Sequence, residues 1–357
     1  MTVFNRLLII LGLTVSWVSC CHVPSEPHGL SSARPVWTVD LRTKGYSPDP
    51  FTITSAPEAA RQIAFGSNDE LVIIKDSGSF ANPNPARAFV LGTKSGDLRN
   101  DVRWVTNRWP YIFATAQGNY AVVANDGMVL YSPGLKQIVA TAANTAADKV
   151  SPDGYSLAAW KTIPGHGLTY FLNADTLRPT GTQFLDTNVE SISPDAIAYI
   201  ARRKDSTTDS VFVNNGKSTG SRYDTKCDQV QARFVSANVL TIVGCDVMEV
   251  VSDGGSELFA EQVLGPLGYS GFAAASRSGN RFAIRQTFDK SGDPPTICTE
   301  RVTVFDVKSR KAVFVTDVQQ LRGFDSGPKA SGIALSPDGR LMAVNSAGVV
   351  QLYQLPE

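Results

Sequence analysis

The 357-residue sequence predicts an all-β fold assembled from repeats of about 42 residues. Three observations carry this. The motif of apolar strand, polar turn and apolar strand recurs along the chain, most clearly as Ile333–Leu335, Ser336-Pro337-Asp338-Gly339 and Leu341–Val344. The turns are regularly spaced: starts at 66, 115, 151, 193, 235, 277 and 336 give three consecutive steps of 42. No segment carries a long apolar stripe of helical period; Ala142–Ala147 and Glu58–Gln62 are the best helical pieces, and both are short.

The turn chemistry explains the motif. Proline fixes φ at the first turn position, aspartate caps the turn through its side chain, and glycine accepts positive φ. Ser151-Pro152-Asp153-Gly154 repeats it before Tyr155–Trp160, and Ser193-Pro194-Asp195 repeats it in short form before Ala196–Ile200. Gly66–Asp69, Thr115–Gly118, Val235–Asn238 and the turn at Arg277 are weaker copies. Third strands follow at Met128–Tyr131, Leu168–Leu172, Ser210–Val213, Met248–Val251, Arg301–Val307 and Val349–Leu355. Repeats of 40–45 residues with several short strands are the signature of a β-propeller. The last unit stops one strand short, and Val36–Leu41 is available to complete it, which removes open sheet edges. The sequence thus predicts seven four-stranded blades closed by an N-terminal strand, with six as the alternative because the unit at 232–264 is compact.

The segment Ser336-Pro337-Asp338-Gly339-Arg340-Leu341-Met342-Ala343-Val344 resembles the repeat of bacterial WD-repeat-like propellers. It is also similar to the YVTN-type propellers and the periplasmic propeller of the Tol system. The resemblance covers residues 36–357 through its period, with sharp motif matches in units three, four and seven. It implies a fold and a habit of binding, not a substrate.

Ahead of the propeller domain (36–357), residues 1–20 read as a secretory signal. Arg6 is the only charge there, and Leu7–Val18 is an uncharged, mostly apolar run. Twelve helical residues reach about 18 Å, short of a bilayer core of about 30 Å. Trp17-Val18-Ser19-Cys20 resembles the bacterial lipobox, with Trp17 where that family usually has Leu, so Cys20 is the lipidation candidate. Residues 21–35, with Pro24, Pro27 and Pro35, read as a flexible tether. The protein is expected to be exported: periplasmic, anchored to the cell envelope, or secreted.

In a propeller the a–b and c–d turns share one face, and the b–c and d–a connections share the other. The b–c connections read as long loops in unit one (Asp76–Arg87), unit three (Lys161–Gly167), unit four (Arg202–Asp209) and unit six (Thr287–Glu300). Long loops carry function disproportionately, so this face is the expected binding face. Its candidates are Arg103, Trp104, Arg108 and Trp109 in the passage into unit two. Trp160, Lys161 and His166 follow in unit three, and Arg202, Arg203 and Lys204 in unit four. Arginine beside tryptophan offers flat contact and paired donors for a protein, peptide or carbohydrate ligand. Packing between blades is the plainer reading of each tryptophan, and a solvated loop that of the Arg-Arg-Lys run.

With 33 basic and 33 acidic side chains, no general field attracts nucleic acid. Membrane contact is expected only through an N-terminal lipid, and the chain is expected to be monomeric. His166 is the only histidine after residue 28, and neither a nucleophile elbow nor a phosphate loop is present. Asp289 and Asp293 fall short of a calcium loop, so no metal or cofactor is implied. The reading favours a non-catalytic binding or scaffolding module. The alternative is a propeller enzyme of lyase or lactonase type, acting on a carbohydrate or lactone through channel-lining acids and arginine. Export makes a disulfide between Cys227 and Cys245 the expected pairing, with Cys298 as an unpaired buried thiol.

Overall fold

The computed structural model describes residues 28–46, 62–75, 84–106, 111–124, 127–185, 189–194, 199–205, 208–214, 221–224, 231–244, 247–252, 256–262, 270–290, 296–319 and 331–357. Its strands fall into seven four-stranded antiparallel sheets, each built from consecutive hairpins except the one that holds the N-terminal strand.

Strand β1 (Trp37–Asp40) belongs to the last blade in the ring. Blade 1 is β2 (Ile63–Ser67), β3 (Glu70–Lys75), β4 (Asn84–Gly92) and β5 (Leu98–Thr106). Blade 2 is β6 (Ile112–Ala114), β7 (Tyr120–Ala124), β8 (Gly127–Tyr131) and β9 (Ile138–Ala143). Blade 3 is β10 (Ala146–Val150), β11 (Ser156–Ile163), β12 (His166–Asn173) and β13 (Pro179–Leu185). Blade 4 is β14 (Val189–Ile192), β15 (Tyr199–Asp205), β16 (Thr208–Asn214) and β17 (Ser221–Asp224). Blade 5 is β18 (Gln231–Ser236), β19 (Val239–Gly244), β20 (Val247–Ser252) and β21 (Glu257–Gln262). Blade 6 is β22 (Ser270–Ala275), β23 (Arg281–Lys290), β24 (Thr296–Asp306) and β25 (Lys311–Gln319). Blade 7 is β26 (Gly332–Leu335), β27 (Leu341–Ser346) and β28 (Val349–Gln354), completed by β1 in the order β1-β28-β27-β26.

The closing strand pairs Trp37 with Leu352 and Val39 with Val350, so the chain's two ends share one sheet. Residues 28–35, expected as a tether, run along blade 6 in their second half. Ala33 N donates to Val315 O at 3.1 Å, and Ser32 Oγ accepts from Asp317 N at 3.2 Å. The Ala142–Ala147 segment, the best helical candidate, is instead the end of β9 and the start of β10. Ala142 pairs with Met128, and Ala146 with Trp160. Alanine's helix propensity is a fraction of a kcal/mol per residue, and sheet pairing overrides it.

The core lies between blades, because each sheet is apolar on both faces. Among the described residues it divides into seven clusters, each spanning two neighbouring blades. One joins Ile73 and Phe89 of blade 1 to Ala343 and Leu352 of blade 7. Another joins Val243 and Met248 of blade 5 to Phe282 and Phe305 of blade 6, where the two rings stack at 5.3 Å. Each fully buried side chain of this kind contributes about 1.5–3 kcal/mol.

One a–b turn geometry recurs whether or not the Pro-Asp pair is present. In blade 3, Gly154 N donates to Ser151 O at 2.9 Å, and Ser151 Oγ accepts from Ser156 N at 3.0 Å. Ser336–Gly339 of blade 7 repeats both bonds, and so does Ser276–Gly279 of blade 6, one residue earlier than the sequence reading placed that turn. Glycine is required at 154 twice over. Its φ is +79°, and a Cβ there would lie 2.8 Å from Ala116 N of the neighbouring turn.

Candidate functional site

The b–c connections differ from expectation in a way that shapes the binding face. Residues 161–167 were read as a long loop but continue the β11–β12 hairpin, with Ile163 opposite His166 across the two-residue turn Pro164-Gly165. Proline presets φ at the first turn position, and Gly165 takes φ +79° at the second. Residues 202–209 are likewise mostly strand, paired as far as Asp205 opposite Thr208. In blade 6, β23 and β24 stay paired as far as Lys290 opposite Thr296. Of the blade 1 connection, Asn84–Arg87 lies in β4, and 76–83 falls outside the described residues.

These hairpins project past the inner strands. In blade 3 the last pairing between β10 and β11 is Ala146 with Trp160, so Lys161–Ile163 and His166–Leu168 stand beyond it. In blade 4 the corresponding last pair is Val189 with Ala201, and Arg202–Asp205 stand beyond. In blade 6 it is Ser270 with Gln286, beyond which Thr287–Lys290 extend. Paired strands, rather than long loops, make up this rim.

The candidates divide on this frame. Trp160 is 54% exposed, and Lys161 and His166 are exposed near the hairpin's end. Lys161 Nζ lies 5.5 Å from the Tyr170 ring centre, within cation–π range. Lys161, Leu168, Tyr170, Thr145 and Gln183 line a surface groove of about 370 Å³. Arg202 and Arg203 sit on β15 opposite Val211 and Ser210. Arg103 and Trp104 are not in a connecting passage. They lie on β5, the outer strand of blade 1, with Arg103 exposed opposite Arg87 and the half-buried Trp104 packed into the apolar cluster between blades 1 and 2. Arg108, Trp109, Cys20, Cys227 and Cys245 lie outside the described residues, and Cys298 sits on β24.

The sequence reading assigned no residue to the channel. The innermost strands of all seven blades surround a central cavity of about 240 Å³. Its walls differ. The inner strands β22, β26, β2 and β6 contain no charged residue and present Phe272, Ile333, Leu335, Phe65 and Ile112. The inner strands of blades 3, 4 and 5 bring Asp148, Lys149, Glu190, Gln231 and Arg233. Asp148 and Lys149 form an ion pair, and Arg233 Nη1 meets Glu190 Oε2 at 2.7 Å across the junction of blades 4 and 5.

Arg277, from the a–b turn of blade 6, lies across the a–b end of the channel. Its guanidinium donates to Phe65 O at 3.0 Å and Ala116 O at 3.3 Å, and also to Gly66 O and Thr115 O. Burial lowers its pKa from the ordinary guanidinium value, opposed by the Tyr120 hydroxyl and the Asp175 carboxylate.

This geometry defines the class: a β-propeller of four-stranded blades around a channel that is charged on one wall and apolar on the other. No protein-family model matches the chain, and no curated protein matches it. Among solved structures it is similar to a chain in the crystal structure of the mitotic checkpoint complex, at 12% identity and a TM-score of 0.54, covering 99% of this chain and 100% of that one. The Dos1 propeller is 15% identical with a TM-score of 0.43, covering 81% of this chain and 76% of that one. TolB from Acinetobacter baumannii is 11% identical with a TM-score of 0.42, covering 81% and 80%. The resemblance to WD-repeat-like and Tol-type propellers is one of fold.

Proposed function

We propose that the protein is an exported, non-catalytic binding module whose partner, a protein or peptide, docks on the b–c face. The projection of the blade 3, 4 and 6 hairpins beyond their inner strands carries this reading, since it builds a stiff raised rim on one face. A rim of paired strands loses little conformational freedom on binding, which favours affinity. Trp160 supplies exposed aromatic area of the kind that anchors interfaces, and Lys161 a charge suited to an interface rim. The test compares capture from a cell-envelope extract by the parent protein and by a Trp160→Ala/Lys161→Ala/His166→Ala variant of unchanged melting temperature. Loss of a captured species supports the reading; identical capture overturns it.

Export rests on the Arg6 and Leu7–Val18 pattern. Residues 1–30 fused to a reporter active only outside the cytoplasm should give signal. Cys20→Ser should move a lipidated protein from the membrane to the soluble fraction, and no shift would mean ordinary secretory cleavage. In an exported chain Cys227 and Cys245 pair, on the argument that strands Gln231–Ser236 and Val239–Gly244 run antiparallel with Gln231 opposite Val243. Non-reducing peptide mapping that finds either cysteine free overturns the pairing.

The channel favours a second reading, since Asp148, Glu190 and Arg233 are the acids and arginine that an enzyme of this fold would use. Turnover of lactone or uronate substrates, lost in Glu190→Gln, would establish it.

A further inference from the structure

We infer that the central channel binds a small monoanion, a carboxylate on an apolar body, with Arg233 as the anion-binding group. This goes beyond the docking face and does not depend on what the projecting hairpins hold.

The cavity's volume, about 240 Å³, lies just under the range typical of ligand sites, which suits a small molecule. Its two walls ask for two chemistries in one ligand. The uncharged inner strands of blades 6, 7, 1 and 2 offer Phe272, Leu335 and Phe65 to an apolar body, and the charged side chains other than Arg277 stand on the opposite wall.

Arg233 is oriented for an anion. Its Nη1 makes both of its hydrogen bonds, to Glu190 Oε2 at 2.7 Å and to Ala232 O at 2.8 Å. The Nε–Nη2 edge makes none among the described residues, and the side chain keeps 19% of its surface accessible. That edge is a planar fork whose two donors match the two oxygens of a carboxylate. Glu190 engages the Nη1 side, which leaves the Nε–Nη2 edge to a ligand.

The charge balance does not oppose an anion. Among the described residues Asp148 pairs with Lys149 and Glu190 with Arg233, while Arg277 is held by four backbone carbonyls and feels the Asp175 carboxylate. These opposed charges leave no strong negative field in the channel to repel a single carboxylate.

Calorimetric titration of the folded full-length protein with hexanoate and with hexanamide tests this. The two probes share an apolar body and differ in charge. Hexanoate should bind saturably, and hexanamide should bind about tenfold or more weakly, the ratio expected for a charge-assisted fork. Arg233→Lys, which keeps the charge and loses the fork, and Arg233→Gln should each weaken hexanoate by a similar factor. Should Arg233→Gln fail to fold, Glu190→Gln decides, because removing the competing carboxylate should leave hexanoate binding equal or tighter. Equal binding of acid and amide, no binding of hexanoate, or weaker hexanoate binding in Glu190→Gln would overturn the assignment.

Discussion

Arg277 Nη2 donates to the backbone carbonyl of Phe65 at 3.0 Å, joining two residues 212 positions apart across the ring. The bond links the a–b turn of blade 6 to blade 1, bypassing blade 7, and its companion bonds to Thr115 and Ala116 extend the link to blade 2. The ring is therefore closed twice, by strand β1 within blade 7 and by one guanidinium over the channel.

Arg277→Ala removes that second closure and strips four carbonyls of a charged donor. Hydrogen bonds to charged groups are worth about 1.5–3 kcal/mol, so a loss of about 2–3 kcal/mol is expected in urea unfolding. Arg277→Lys should fall between, since one ammonium cannot serve four carbonyls in the guanidinium plane. An unchanged midpoint for the alanine variant would mean that the bridge contributes nothing.

Strand β1 should matter more. It covers the edge of β28, and Trp37 Nε1 donates to Thr93 O of blade 1 at 2.7 Å while its ring packs in the cluster between blades 1 and 7. A chain that lacks residues 1–42 exposes the β28 edge and should aggregate or melt well below one beginning at Ser31. Trp37→Ala in the longer chain should cost about 2 kcal/mol, below the full-burial figure because the ring is only partly buried. Equal melting of the two truncations would show that closure by β1 is dispensable.

The repeats were legible because their turns are written in local chemistry: Ser151–Gly154 and Ser336–Gly339 need serine, aspartate and glycine at fixed offsets whatever surrounds them. Closure by Trp37–Asp40 was legible because the last unit lacks a strand. The projecting hairpins were not, because Pro164-Gly165-His166-Gly167 has the composition of a loop although only two of its residues turn. The channel site was harder still. Asp148, Glu190 and Arg233 are scattered over three short strands, and only the ring brings them together. The available signal was phase: each stands one repeat after the last, with Glu190 and Arg233 43 positions apart.

Stability should fall in acid partly through Asp101. Its hydrogen bonds from Arg87, with Nε–Oδ1 at 2.6 Å, hold its pKa below the ordinary 3.8, more strongly than its burial raises it. A depressed folded-state pKa gives stability that is present above the unfolded value and lost as pH falls through the folded one. Asp101→Asn should flatten the part of the acid limb below pH 3.8 and cost up to about 1 kcal/mol at pH 7, because the pair is partly solvated. Superimposable pH–stability curves for parent and variant would rule this pair out as a contributor.

The largest single effect should come from Glu300. Both Glu300 and Arg285 have no exposed surface, and Arg285 Nη1 lies 3.4 Å from Glu300 Oε1 on neighbouring strands of blade 6. The pair also grips blade 7: the Glu300 carboxylate accepts from Ser331 N at 3.0 and 3.2 Å, and Arg285 Nη2 donates to Ser331 O at 2.5 Å. Glu300→Ala takes a carboxylate partner from a fully buried guanidinium and should cost about 3–5 kcal/mol. Replacing both partners, as Arg285→Met with Glu300→Leu, removes the two desolvation penalties together and should recover most of that loss. The recovery should be incomplete, because Ser331 N and O then lose their partners at the junction of blades 6 and 7. Chemical denaturation of the two variants measures both effects. A double variant no more stable than Glu300→Ala would show that the pair's main role is to hold Ser331, and not to balance charge.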